Sequence, residues 1–121
     1  MHKGEFLCHI KLRVPGLHNV LNALAALAAS MYSGADAESC RDGLDAFSGA
    51  HRRFELLGKY KGVTFVDDYA HHPAELKVTI DAAMEMGYHS VWAVFQPFTY
   101  SRTYMLMDDF AKVLSIPDHC V

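Results

Sequence analysis

The sequence predicts an α/β fold, because its second half alternates between strand and helix patterns. Residues 62–66 form an apolar extended run, residues 73–86 follow helical spacing, and a second apolar run follows at 90–95. A helical pattern over 99–114 and a short extended segment at 119–121 continue the alternation. Strands joined through helices build parallel sheets with right-handed crossovers. We therefore expect a Rossmann-like parallel sheet in this half.

Composition and charge exclude several classes of protein. Hydrophobic residues make up 51% of the 121 residues and charged residues 21%, which is typical of a packed globular domain. The formal net charge of -3 leaves no basic surplus for the phosphates of a nucleic acid. The N-terminal residues lack the apolar core of a secretory signal, and the longest apolar run, Ala23 to Ala29, is too short to span a membrane. The three cysteines are widely spaced and odd in number, which is typical of free thiols in a reducing compartment. Together with the net charge and the short apolar runs, this predicts a cytoplasmic protein without nucleic-acid or membrane partners.

The first half shows one strand pattern and two helix patterns. From Phe6 to Val14 apolar and polar residues largely alternate, which predicts a half-buried strand. Ala and Leu dominate residues 17–31 and predict a helix that ends at Ser33-Gly34. Asp36 then serves as the expected N-cap of a second helix, residues 37–47.

A predicted domain junction lies near the short connector Ser48-Gly49-Ala50. We expect residues 1–50 to belong to one domain and residues 51–121 to another. The chain opens with a strand pattern that would need neighbouring strands, and it closes at the start of another strand pattern. We therefore expect it to be an internal piece of a larger protein.

The second half opens with a predicted hairpin and then a helix. Extended runs at 54–60 and 63–66 flank Lys61-Gly62, a pair that suits a tight two-residue turn. Pro73 suits the first position of the helix that follows, and Gly87 ends that helix.

Polar side chains gather just after two of the predicted strands. The run that ends at Val66 is followed by carboxylate, phenol and imidazole groups: Asp67, Asp68, Tyr69, His71 and His72. The run at 90–95 is followed by Tyr100, Ser101 and Arg102. Open α/β sheets bind ligands in the crevice at the carboxyl ends of their strands. The sequence therefore predicts a binding site here, in which one carboxylate suits the hydroxyls of a ribose.

Two interpretations of this polar cluster compete. Zinc accepts His and Asp ligands, so a metal site is the rival to a nucleotide site. However, His71 and His72 are adjacent, whereas two imidazoles on one metal are typically four residues apart on a helix. We therefore predict no metal site in this chain.

Asparagine and arginine pairs elsewhere suggest contacts with a nucleotide. Asn19 and Asn22 lie three residues apart on one side of the first helix, and each amide offers the donor and acceptor that an adenine edge requires. From the residues alone, a cap and one exposed amide are the plainer interpretation. Arg52 and Arg53 follow the junction, where a guanidinium can grip phosphate oxygens, although two solvated charges beside a strand are the plainer interpretation. The sequence contains no phosphate-binding glycine loop and no nucleophile elbow.

Three stretches, in order along the chain, resemble the Mur ligases: PGLHNVLNALAALA, AHRRFELLGKYKGVTFVDDYAHHPAE and AVFQPFTYSRT. The resemblance covers nearly the whole chain. It implies that residues 1–50 form the end of a central ATP-binding domain, and that residues 51–121 form the first half of a Rossmann-like C-terminal domain. The activity it implies is amide-bond formation in peptidoglycan biosynthesis. ATP phosphorylates the carboxylate of UDP-N-acetylmuramate, and the amine of L-alanine attacks the acyl phosphate.

The resemblance also implies a nucleotide-binding set. His18, Asn19 and Asn22 match positions at the adenine, with the two asparagines making the contacts. Arg53 matches a hinge arginine that reaches the ATP phosphates, and Asp68 matches the carboxylate that binds the ribose.

The amino-acid side of the implied site consists of Tyr69, His71 and Arg102. Arg102 would hold the L-alanine carboxylate or the tetrahedral intermediate, and His71 and Arg102 are the catalytic candidates. Phe98 departs from the family pattern, since many members have a His after the FQP triplet.

The phosphate-binding loop, the Mg²⁺ ligands and the UDP-sugar domain of the family lie in sequence that this chain lacks. We therefore expect no ligase activity from the chain alone. Two alternatives stay open: a fragment of the related ligase that recycles muramyl peptides, and a nucleotide-binding module without catalysis.

Overall fold

The computed structural model describes Gly4 and residues 6–121, and it divides the chain into two compact units, residues 1–50 and residues 51–121. Residues 1–3 and 5, which belong to the first predicted domain, lie outside the described residues. None of the helices in the described part of the chain has the length and apolar character that crossing a bilayer requires.

The first unit contains two helices, α1 over Leu17–Tyr32 and α2 over Ala37–Ala46. α1 ends as predicted, because Gly34 has a left-handed φ of 101° and donates its N–H to the Met31 carbonyl at 3.1 Å. Glycine adopts this conformation without the steric cost that a Cβ would bring.

The start of α2 is held by the predicted N-cap. One carboxylate oxygen of Asp36 accepts the N–H groups of Glu38 and Ser39 at 3.0 and 2.9 Å. The Ser39 N–H in particular lowers the pKa of the Asp36 carboxyl. Phe47, predicted as the last helical residue, is instead the C-cap.

The predicted strand from Phe6 to Val14 is wrong, since no strand forms there in the described part of the chain. The alternation survives in burial: Cys8, Ile10, Leu12 and Val14 are half-buried, whereas the residues between them are exposed. A strand needs a partner backbone, and none of the described residues forms a ladder with this segment. The pattern thus predicted which side chains face inward but not the pairing.

The second unit opens with the predicted hairpin. Strand β1 covers Glu55–Tyr60 and pairs antiparallel with β2, Val63–Asp67. Lys61 and Gly62 have φ values of 47° and 84°, and two positive values are what a type I′ turn requires. The hairpin prediction is confirmed.

Helices and two short strands follow the hairpin in alternation: α3 (Pro73–Glu85), β3 (Trp92–Ala93), α4 (Tyr100–Met105), α5 (Met107–Leu114) and β4 (His119–Cys120). β3 pairs parallel with β4, as predicted for strands joined through helices. The α/β class is therefore confirmed.

The single parallel sheet is not confirmed. Among the described residues, β2 is hydrogen-bonded only to β1, and β3 only to β4. Pairing with β1 uses one edge of β2, and none of the described strands is hydrogen-bonded to its other edge. The parallel crossover that the alternation suggested is therefore present between β3 and β4 only, within the described residues.

Two further predictions in this unit are wrong in detail. The continuous apolar run at 90–95 predicts a strand covered on both faces, but Trp92 is 62% exposed and Val94 is exposed, while Ala93 and Phe95 are half-buried. One face of β3 therefore packs inward and the other faces outward. The long helix over 99–114 breaks at Leu106, whose φ of -115° and ψ of 22° are not helical.

The core of the second unit lies between α3 and α5. Its buried members are Leu76, Ile80, Phe110 and Val113. Phe95, which follows β3, stacks on Phe110 with ring centroids 5.3 Å apart. This core anchors α3, β3 and α5, and the loops at their ends carry the polar side chains described next.

Candidate functional site

An open cavity of about 650 Å³ lies within the second unit. It borders the loop between β2 and α3, called the site loop (residues 67–72), the residues of β3 and the start of α4. Its apolar lining includes Leu76, Ile80, Ala83, Phe95 and Leu114. Its polar lining consists of Arg52, Asp67, Asp68, Tyr69, His71, Thr79, Gln96, Thr99 and Arg102. An apolar wall with a few convergent polar groups is typical of a ligand site.

Of the eight residues to which the family resemblance gives a role, four line this cavity together: Asp68, Tyr69, His71 and Arg102. They come from two separate segments, one after β2 and one in α4. Phe98, where the sequence departs from the family pattern, also lines the cavity and is 81% exposed. Arg53 is exposed and is not among the lining residues.

The three remaining candidates belong to the first unit and lie at the start of α1. His18 and Asn19 are half-buried, and Asn22 is exposed. The Asn19 side-chain NH₂ donates to the Pro15 carbonyl at 2.6 Å, so this donor is already bound to the turn before the helix. The amide oxygen of Asn19 is not used in that bond.

Asp68 ties the site loop to the residues that precede β1. One carboxylate oxygen accepts the Phe54 N–H at 2.8 Å, and the other accepts the Ala70 N–H at 2.7 Å. Each carboxylate oxygen has a second lone pair, so further hydroxyl donors can still bind. The half-buried carboxylate thus orders the loop and keeps acceptor capacity.

His71 is fixed in one tautomer by its own loop. Its Nδ1 lies 2.9 Å from the Tyr69 carbonyl oxygen, which can only accept a hydrogen bond. Nδ1 therefore carries a proton, and in the neutral ring Nε2 has the free lone pair of a base. The Tyr69 ring packs edge-on against the imidazole at a centroid distance of 5.2 Å.

Arg102 reaches the site loop from α4. Its Nη1 lies 3.5 Å from the His71 carbonyl oxygen, at the long limit of a hydrogen bond. The guanidinium is half-buried and only weakly engaged by that contact, so it can bind a carboxylate or another oxyanion. The cavity thus combines a base, a guanidinium and carboxylates.

Glu75, in the first turn of α3, supports His71. Its carboxylate accepts the His71 N–H at 3.1 Å and lies 3.6 Å from Nδ1 of the ring. The backbone hydrogen bond lowers the pKa of Glu75 from its usual value of 4.5. Because the folded-state pKa is the lower one, the carboxylate stabilises the fold above about pH 4.5 and loses this effect as the pH falls through that pKa.

We therefore expect Glu75→Gln to lower the melting temperature at pH 7, and the difference from the wild type to vanish towards acid pH. Thermal unfolding at several pH values measures this. Glu85→Gln, at the opposite end of α3, is the control, and it should not lower the melting temperature because a carboxylate there opposes the helix dipole. A Glu75→Gln difference that stays constant down to low pH would contradict the assignment.

Arg52 lines the cavity, although the sequence favoured a solvated charge at this position. Its guanidinium lies over the Tyr69 ring, 4.6 Å from the centroid, and its Nε donates to an Asp67 oxygen at 3.3 Å. The hairpin prediction contained the necessary signal, because pairing Glu55 with Asp67 brings the residues before β1 beside the site loop. An Arg and a Tyr that are distant in sequence then come into contact.

The two carboxylates at the end of β2 are each engaged by groups of this chain. Asp67 pairs with Arg52, and both oxygens of Asp68 accept backbone N–H groups. Within the described residues, no three His, Cys, Asp or Glu side chains come together as metal ligands.

A sequence profile described as "Mur ligase, glutamate ligase domain" matches residues 52–121, which include the whole cavity. The chain belongs to the Mur ligase family. Its similarity to individual members extends over both units.

One curated relative is the UDP-N-acetylmuramate–L-alanine ligase of Caldanaerobacter subterraneus subsp. tengcongensis, 47% identical over 120 residues. The alignment covers 99% of this chain and 26% of that protein. The crystal structure of the UDP-N-acetylmuramate-alanine ligase from Thermotoga maritima matches with a TM-score of 0.81 at 34% identity, over 97% of this chain and 26% of that one. A murein peptide ligase from Psychrobacter arcticus matches with a TM-score of 0.65 at 33% identity, over 92% and 24% of the two chains. The chain thus spans about a quarter of the length of the relatives it matches.

Proposed function

We propose that this chain is part of an ATP-dependent ligase that joins L-alanine to UDP-N-acetylmuramate through an acyl phosphate. The observation that supports it best is the 47% identity to a UDP-N-acetylmuramate–L-alanine ligase, in an alignment that covers 99% of this chain. The cavity supplies suitable chemistry, since attack of an amine on an acyl phosphate requires a base and a group that binds the amino-acid carboxylate.

On the amino-acid side, His71 and Arg102 carry the proposed chemistry. Nε2 of His71 takes a proton from the ammonium group of L-alanine, which frees the lone pair that attacks the acyl carbon. This attack forms a tetrahedral intermediate, and inorganic phosphate leaves when the intermediate collapses and the nitrogen loses its second proton to water. Arg102 holds the alanine carboxylate or the oxygen that becomes negative in the tetrahedral intermediate, and Tyr69 supports the imidazole from the side.

On the nucleotide side, the family resemblance supports roles for residues of both units. Asn19 and Asn22, with His18 beside them, contact the adenine in the proposal. Arg53 reaches the ATP phosphates, and Asp68 accepts hydrogen bonds from the ribose hydroxyls. ATP would be bound with Mg²⁺, whose ligands we assign to the remainder of a full-length enzyme. The chain covers 26% of its relative, and we propose that it has no ligase activity alone.

A chimera provides the test of this function. Replacing the aligned quarter of the Caldanaerobacter ligase with this chain should give an enzyme that releases ADP only when both UDP-N-acetylmuramate and L-alanine are present. The 121-residue chain assayed alone is expected to release none. A chimera that folds, as judged by its melting transition, but shows no amino-acid-dependent release would contradict the proposal.

A second candidate is the recycling of muramyl peptides, supported by the structural match to the murein peptide ligase. The lower TM-score, 0.65 against 0.81, favours the L-alanine ligase. The same chimera decides between them when it is offered an intact muramyl-linked tripeptide in place of L-alanine. Preference for the tripeptide would favour the second candidate. Binding of ATP by the 121-residue chain itself, measured by calorimetric titration, without turnover of the chimera on either substrate would favour a non-catalytic nucleotide-binding module.

The ribose role of Asp68 leads to a separate prediction. In the chimera, Asp68→Asn should raise the KM for ATP by about 10-fold, because a charged acceptor for two hydroxyl groups is lost. The KM for 2′,3′-dideoxy-ATP should change much less, since that nucleotide lacks both hydroxyls. Equal increases for the two nucleotides would mean that Asp68 only orders the site loop.

A further inference from the structure

We propose that Arg52 is an anion-binding residue of the cavity, which receives a carboxylate or phosphate group of a substrate. The family resemblance points instead to its neighbour Arg53, which is not among the residues lining this cavity. The inference deepens the proposed function and rests on it for the identity of the anion. The evidence for it is the way in which the Arg52 guanidinium is held.

The guanidinium of Arg52 lies in the cavity wall with part of its hydrogen-bonding capacity unused. Its Cζ lies over the Tyr69 ring, 4.6 Å from the ring centroid, and the single bond to Asp67 engages Nε at a long 3.3 Å. Neither contact requires Nη1 or Nη2, which can donate to two oxygens of one anion. The side chains of Arg52 and Asp67 are 57% and 38% exposed, so solvent weakens this ion pair.

The backbone of Arg52 is held more firmly than its side chain. Its N–H donates to a Glu55 carboxylate oxygen at 2.8 Å, and its carbonyl accepts the Tyr69 N–H at 2.8 Å. These bonds maintain a φ of 55°, which is unfavourable for a residue with a Cβ. Because the backbone of Arg52 is fixed and its guanidinium is held loosely, the guanidinium can turn from Asp67 towards an incoming anion.

Asp67 acts in this arrangement as an internal competitor for the guanidinium. An anion that binds Arg52 must share it with the Asp67 carboxylate or displace that carboxylate. Removing the charge of Arg52 should therefore weaken anion binding, whereas removing the charge of Asp67 should strengthen it. Effects of opposite sign separate binding from a general loss of stability.

The test follows the arginine Nε–Hε signals and the backbone amide signals of the complete 121-residue chain by NMR, and binding by Arg52→Gln is read from the amide of Tyr69, which donates to the Arg52 carbonyl. Inorganic phosphate and L-alanine are titrated separately as probes. We expect the Arg52 signal to shift saturably, the apparent affinity to fall about 10-fold or more in Arg52→Gln, and to rise a few-fold in Asp67→Asn. Arg41→Gln, which removes an arginine paired with Asp42 on α2, is the matched control and should bind as the wild type does.

A response to phosphate alone assigns Arg52 to a phosphate group, and a response to L-alanine alone assigns it to a carboxylate. The proposal is overturned if the Arg52 signal responds to neither probe, or if Arg52→Gln binds both as the wild type does. If the chimera is active but the Arg52 signal does not shift with either probe, only this inference is contradicted. If the chimera folds but is inactive and the Arg52 signal does shift, only the proposed function is contradicted.

Discussion

Replacing Phe110 with Ala is expected to lower the free energy of unfolding of the second unit by about 3–5 kcal/mol. Phe110 is 4% exposed, belongs to the buried cluster between α3 and α5, and stacks on Phe95. Truncation removes the ring from the cluster and leaves a cavity that the surrounding helices fill only in part. Small domains are stable by only about 5–15 kcal/mol, so the variant should be largely or wholly unfolded at moderate temperature.

Urea unfolding followed by the fluorescence of Trp92 measures this effect, because Trp92 is the chain's single tryptophan and lies in the second unit. The matched control is Tyr104→Ala, which removes an aromatic ring that is 83% exposed on α4. It should change the unfolding free energy by less than about 0.5 kcal/mol. If Phe110→Ala and Tyr104→Ala unfold at similar urea concentrations, the assigned core is wrong.

The parts of the fold that the sequence predicted well depend on local chemistry. The helix over 17–31 has its predicted glycine ending, the second helix has its Asp36 cap, and the turn at Lys61-Gly62 has two positive φ values. Each of these is decided by residues within one turn of the feature. Such contacts are visible in a single stretch of sequence.

The parts that were wrong depend on partners that are distant in the chain. The segment from Phe6 to Val14 has the alternation of a strand but no ladder in the described part of the chain, and residues 90–95 are covered on one face only. The expected long helix breaks at Leu106, and no Pro or Gly near that position predicts the break. Periodicity shows which side chains can face a core, but it does not show which surface will meet them.

The candidate site shows the same division. The cluster of Asp68, Tyr69 and His71 could be predicted, because these polar residues follow one strand within a few positions and so lie together at its carboxyl end. Arg52 was considered only as one of two charges at a junction, and its stacking on Tyr69 follows from the hairpin register. The roles of individual residues follow from family resemblance and remain predictions, which the variants of Asp68, Arg52 and Arg102 test.

Arg102→Gln in the chimera is expected to reduce kcat/KM for L-alanine by about 100-fold. A guanidinium that binds the substrate carboxylate or a developing oxyanion contributes charge-assisted hydrogen bonds, and losing one such donor typically costs 10²–10³ in rate. The weak contact of Arg102 with the His71 carbonyl, at 3.5 Å, means that the fold itself should change little. Steady-state kinetics with L-alanine, accompanied by a melting curve, measure both effects.

The comparison that identifies the role of Arg102 uses L-alaninamide, an amine of nearly the same shape that lacks the carboxylate charge. The unsubstituted chimera should prefer L-alanine, and Arg102→Gln should lose most of that preference while Arg102→Lys retains part of it. Lys112→Gln, on the exposed face of α5, removes a positive charge outside the cavity lining and should leave the preference unchanged. If Arg102→Gln slows both amines equally, Arg102 binds the tetrahedral intermediate. If it slows neither, the guanidinium has no part in the reaction, and the carboxylate of L-alanine must be bound by another group.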